Sequence, residues 1–109
     1  MLLSDYQARS RATAVYPGAG ANLLYPTLGL CGEAGEVAEK VKKLVRDDGG
    51  VLTEERRAAL SKELGDVLWY VAQIATEADL DLDDIAAGNL EKLESRRRRA
   101  VLQGSGDDR

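Results

Sequence analysis

Two long apolar stripes with α-helical spacing, separated by Asp47-Asp48-Gly49-Gly50, constrain this chain more than any other feature. Leu30, Ala34, Val37, Val41 and Leu44 form the first stripe, and Leu60, Leu64, Val67, Val71, Ile74 and Ala78 form the second. Residues three or four apart share one helix face, so each run predicts a helix with one side to bury. Pro26 suits a first helical turn and the first pattern closes at Val45. Thr53 is placed to cap the next helix, with Glu54 and Glu55 at its positive end, and this helix fades near Asp79. The short connection makes the two helices antiparallel.

Shorter helices flank this pair. Ser4 and Gln7 have the spacing of a capping box, which predicts a first helix running to about Val15 before Pro17, Gly18 and Gly20 end it. Residues 16–25 read as a loop. Asp81 caps a fourth helix, with Leu80 and Ile85 in staple positions, and the pattern continues through Leu90 and Leu93 into an arginine run. The tail at residues 104–109 is expected to be disordered. No strand-like alternation competes, so the expected fold is all-α: one four-helix bundle domain over residues 1–103. A domain this short buries only about 60 to 70% of its unfolded surface. Its helices are longer than a thin single-chain core requires, so a homo-oligomer, dimer or tetramer, is expected.

Net charge is −4 and the sequence pI is about 4.8, so no global positive field would recruit nucleic acid or an anionic membrane. The opening residues lack a basic region followed by a long apolar run, and the reading is cytoplasmic. Cys31 is the single cysteine and the chain has no histidine, which removes an intrachain disulfide, a thiolate cluster and the commonest zinc ligand. Catalysis here would have to use carboxylates, lysines, arginines or tyrosines.

Acid pairs are common in a chain with 19 acidic residues, so placement has to decide. Glu33 and Glu36 lie about 80° and 140° from the centre of the first stripe, and Glu63 and Asp66 about 75° and 135° from the second, in the same rotational sense. In an antiparallel pair, shoulders of equal hand fall on the same side of the contact. Glu36 and Glu63 are each about 14 Å from the turn at 1.5 Å per residue, and Glu33 and Asp66 also match in height. Four carboxylates at one level repel one another, and a hard divalent cation relieves that repulsion.

Three segments then carry a family resemblance: Leu28-Gly29-Leu30-Cys31-Gly32-Glu33-Ala34-Gly35-Glu36, Lys62-Glu63-Leu64-Gly65-Asp66-Val67-Leu68-Trp69, and Asn89-Leu90-Glu91-Lys92-Leu93-Glu94-Ser95-Arg96. Together they resemble the MazG-type nucleotide pyrophosphohydrolases of the all-α NTP pyrophosphatase superfamily, over about residues 24–99. The resemblance implies a magnesium-dependent enzyme, with manganese as a substitute, that cuts a nucleoside triphosphate into monophosphate and pyrophosphate. It implies Glu33, Glu36, Glu63 and Asp66 as metal ligands, with Glu36 chosen as the base. Asn89, Lys92 and Arg96 match the family's Asn-x-x-Lys-Leu-x-x-Arg element and are expected to contact sugar or phosphate. Gly32 stands where some relatives carry a further glutamate. The site is expected in a groove beside the second and third helices, closed by the fourth.

Other residues are weighed beside these. Lys40 and Lys43 can reach phosphate oxygens or pair with a nearby glutamate. Trp69 points away from its helix's apolar centre and is expected to pack on another helix or subunit, or to stack on a nucleobase. Tyr6, Tyr16 and Tyr25 are further base contacts to test, and Arg97, Arg98 and Arg99 read as a solvated helix end. Gly29, Gly32 and Gly35 recur along one helix, where each glycine costs about 1 kcal/mol relative to alanine, so close approach of another element is expected. Rival readings are a dCTP- or dUTP-restricted relative, a phosphoribosyl-ATP pyrophosphohydrolase, and a non-catalytic helical interaction module. The expected role is removal of non-standard nucleotides.

Overall fold

The computed structural model describes residues 1–109 and is all-helical, with no strand. Its helices are α1 (Leu3–Ser10), α2 (Leu24–Asp47), α3 (Glu54–Glu77) and α4 (Leu82–Arg98), with a 3-10 turn at Arg11–Thr13. No helix is long and apolar enough to cross a membrane.

The α2–α3 hairpin is the main packing unit. Its turn closes as the sequence predicts: the Asp48 and Gly50 N–H groups both donate to the Leu44 carbonyl, at 3.0 and 3.2 Å. Gly49 and Gly50 take φ of 62° and 80°, a left-handed conformation that costs glycine little. Thr53 Oγ1 accepts from the Arg56 N–H at 3.2 Å, and Arg56 Nε donates back across the turn to Asp48 Oδ2 at 2.7 Å.

The expected Ser4–Gln7 capping box is not formed. Asp5 instead accepts from the Leu2 N–H at 3.1 Å, and Ser4 donates to Asp83 on α4. Gln7 donates to Thr76 Oγ1 and the Leu80 carbonyl at 3.1 and 2.8 Å, and accepts from the Leu82 N–H at 2.8 Å. The α3–α4 turn has backbone groups that need partners, and that tertiary demand overrides the local motif. α1 also ends earlier than Val15, passing through the 3-10 turn to Thr13. α2 starts two residues before Pro26, where Asn22 Oδ1 accepts from the Tyr25 N–H at 3.0 Å. Asp81 caps α4 as expected, accepting from the Asp83 and Asp84 N–H groups at 2.8 and 3.3 Å.

The core is small and sits at the junction of α1, α3 and α4, where Ala72, Ala75 and Leu82 are buried against Tyr6 and Val71. Small side chains on α3 let the start of α4 approach closely. α4 therefore packs on α1, and not as a closure over the α2–α3 groove.

The two apolar stripes divide rather than bury as units. Leu30, Val37, Leu44, Leu60, Val67 and Val71 are half-buried, whereas Val41 and Leu64 remain 45% and 52% exposed. The chain exposes 7510 Å², against about 5,900 Å² for a compact monomer of this mass. Its radius of gyration is 16.8 Å, against about 13 Å for a compact chain of this length.

Candidate metal centre

Gly29 of α2 meets Tyr70 of α3 across the antiparallel hairpin, and one helical turn further along α2 Glu33 comes together with Asp66 and Glu63. Glu33, Glu63 and Asp66 each bring one carboxylate oxygen into a group whose members lie within 4.8 Å of one another. Glu36 is exposed and stands outside that trio. The structure thus brings together three of the four acids named from the sequence.

Partial burial, the charges of Asp66 and Glu63, a hydrogen bond with Glu63 and the charge of Glu36 all push the Glu33 carboxyl above its usual range. Lys40 Nζ lies 3.8 Å from Glu63 Oε1, so of the two fates open to this lysine the chain shows the ion pair.

The donor set suits a hard cation. All three groups offer carboxylate oxygen, with no histidine or thiolate competing. Octahedral magnesium, with oxygens at 2.0 to 2.1 Å, needs neighbouring ligands about 2.9 to 4.2 Å apart. An inward adjustment of well under 1 Å from the observed spread meets that requirement, and side-chain torsions supply it. The residues fit a magnesium ion.

The remaining candidates fall elsewhere. Trp69 Nε1 donates to Thr13 Oγ1 at 2.8 Å, and its ring meets Tyr70 and Tyr16 edge-on, with centroids 5.0 and 6.4 Å apart. Its position opposite the apolar stripe is thus explained by packing on the loop that follows α1. Asn89 is exposed. Lys92 and Arg96 both hold Asp107 of the tail, at 3.3 and 3.5 Å, and Arg96 is buried with its Nε atom unpartnered. The tail, expected to be disordered, is placed against α4 by these contacts. Arg97 and Arg98 pair with Glu94 at 2.7 and 3.9 Å on an exposed face.

Neither of the two larger recesses is lined by the clustered acids. One, of about 460 Å³, is lined by Gln7, Arg11, Thr76 and Asp81. The other, of about 420 Å³, is lined by Lys40, Asp48, Thr53 and Arg56.

Two tyrosines feel the charge of the site; Tyr6 is among the base contacts read from the sequence, and Tyr70 is not. Burial, and then the charge of Asp66, raises the Tyr6 phenol. Burial, Tyr25, Glu33 and Asp66 raise that of Tyr70. Tyr70 follows Asp66 by one helical turn, a spacing legible in the sequence. Tyr6 belongs to α1 and packs against the Ala72, Ala75 and Leu82 core, and only the tertiary fold brings it within reach of the charge of Asp66.

An antiparallel helical hairpin that clusters three carboxylates defines an all-α protein with a candidate site for an oxygen-liganded cation. The family described as the MazG nucleotide pyrophosphohydrolase domain matches residues 24–101, from the start of α2 to just past α4. The chain belongs to that family. It is also similar to "Gene 37 protein" of Mycobacterium phage L5, with 54% identity over 114 residues covering all of both chains. No solved structure gives a significant match.

Proposed function

We propose that this protein hydrolyses nucleoside triphosphates between the α and β phosphates, releasing a nucleoside monophosphate and pyrophosphate. The observation that carries this reading is the convergence of Glu33, Glu63 and Asp66 from two helices inside the family-matched segment. These three carboxylates would hold magnesium, or manganese in its place, with Glu36 one turn along from Glu33 as a fourth ligand or as the base. When bound, the ion would offset charge developing on the leaving pyrophosphate.

The chain's own groups supply the rest. A water oxygen attacks the α phosphorus, the bond to the bridging oxygen of the β phosphate breaks, and Glu36 accepts the water's proton. Glu36 is suited to this because it is the motif acid outside the clustered trio. Lys40 would exchange its contact with Glu63 for a phosphate oxygen. Lys92 and Arg96 would contact phosphate in place of Asp107, with Asn89 on the sugar and Trp69 bordering the base.

The excess exposed area, about 1,600 Å² above that of a compact monomer, supports assembly as a dimer or tetramer. A role in removing non-standard nucleotides and a cytoplasmic location accord with this reading. The test is a panel of NTPs and dNTPs, with phosphoribosyl-ATP, incubated with and without magnesium. Pyrophosphate and monophosphate are expected, and the panel separates a general activity from a dCTP- or dUTP-restricted one. Release of orthophosphate and diphosphate would reject α–β cleavage. Turnover of no substrate, with intact fold and assembly, would favour a non-catalytic interaction module.

A further inference from the structure

Of the three regularly spaced glycines on α2, only Gly29 meets another side chain. A Cβ built there would lie 2.2, 2.3 and 2.7 Å from the Cε1, Cζ and Cδ1 atoms of Tyr70, whereas at Gly32 and Gly35 nothing lies within 4 Å. The edge of the Tyr70 ring therefore rests directly on the α2 backbone. Side-chain contacts between helices rarely come this close, and only glycine permits it.

That contact sits one helical turn from the acids on both helices. Gly29 precedes Glu33 by four residues and Tyr70 follows Asp66 by four, so the ring layer and the Glu33–Asp66 layer are adjacent, about 6 Å apart along the hairpin. The ring is also braced from behind. Trp69 meets it edge-on at 5.0 Å, and the indole is tied to Thr13 at 2.8 Å.

We propose that Tyr70, seated on Gly29, is a positioning residue that fixes the α2–α3 separation, and hence the gap across which Glu33, Glu63 and Asp66 must share one cation. The inference rests on the metal-site reading above and adds to it the element that sets the site's width. The carboxylate oxygens lie within 4.8 Å of one another, and octahedral magnesium tolerates only roughly 4.2 Å between its most distant ligands. Moving the helices apart by a further ångström would leave one carboxylate out of reach. A packed ring and a backbone do not compress, so an added methyl must widen the gap or displace the ring.

Two measurements test this. In the first, magnesium affinity is read from the rise in melting temperature as the cation is titrated into the full chain. Gly29→Ala should weaken affinity by about 10-fold or more, Gly29→Ala with Tyr70→Leu should recover most of it, and Tyr70→Phe, which keeps the ring, should match the parent. Gly32→Ala, at an open position nearer the acids, should also match. Parent-like affinity in Gly29→Ala, or failure of the smaller Tyr70 replacement to restore it, overturns the proposal.

In the second, nitroxide labels at Glu36→Cys and Glu63→Cys, in a Cys31→Ser background, report helix separation without metal through dipolar broadening of the EPR spectrum. Gly29→Ala should reduce the broadening, and an unchanged spectrum overturns the spacer role whatever the cation does. Reduced broadening in a protein whose parent shows no magnesium response would reject the metal site and keep the spacer. Should Gly29→Ala fail to fold, Tyr70→Leu makes the opposite change, and increased broadening is then the required result.

Discussion

Both oxygens of the Glu77 carboxylate accept from the N–H of Gly20, at 2.8 and 3.0 Å, which fastens the loop after α1 to the end of α3. The Tyr16 hydroxyl donates to Glu77 Oε1 at 3.0 Å, the Asn22 N–H reaches the same atom at 3.4 Å, and Arg11 lies 3.4 Å from Oε2. The Glu77 side chain is only 1% exposed. Burial by itself would raise its carboxyl, but the Gly20 N–H, Tyr16, the Asn22 N–H and Arg11 together hold it below the ordinary value of 4.5. A depressed carboxyl gives stability that is fully present above the unfolded value and lost as pH falls through the folded one. The melting temperature should therefore drop from about pH 4.5 downward. Glu77→Gln should lower stability at neutral pH and flatten that acid limb, as calorimetry across pH would record.

Removing one charge from the acid cluster tests the metal reading. Glu63→Gln keeps shape and helix propensity while replacing a charged ligand by an amide. Turnover should fall by about 100-fold or more while circular dichroism stays helical. Full turnover in this variant would show Glu63 to be no ligand.

Glu36 needs its own comparison because it stands outside the trio. Glu36→Gln should lower kcat with little change in the magnesium concentration needed for half-maximal rate. A large change in that concentration would instead make Glu36 a ligand rather than the base.

Asp107 sits on Lys92 and Arg96, the two cations proposed to meet phosphate. Asp107→Asn removes a competing anion, and KM for the triphosphate should fall by up to about five-fold, the range of one exposed ion pair. Arg98→Ala, on the exposed face beside Glu94, should leave both KM and kcat unchanged in the same assay.

The uncovered apolar face gives a prediction about assembly. Leu64 is 52% exposed although it belongs to an apolar stripe. Leu64→Asp would place a charge on this uncovered apolar face, where we expect a second copy to pack. Light scattering should show a dimer or tetramer for the parent and a smaller species for the variant.

The sequence alone determined the helical class, the turn at residues 47–50, the caps at Thr53 and Asp81, and the level at which Glu33, Glu63 and Asp66 meet. Those follow from backbone periodicity, the left-handed freedom of glycine and hydrogen bonding over a few residues, all of which are local. Tertiary structure alone decided that Gln7 serves the α3–α4 turn, that α4 lies on α1, that Tyr6 packs on the small core and that Gly29, of the three glycines, receives a ring. Each of these depends on which groups distant in the chain compete for the same partner or the same space. Periodicity says that a face is apolar, but not which neighbour will cover it, and so Val41 and Leu64 read as core while the single chain leaves them open.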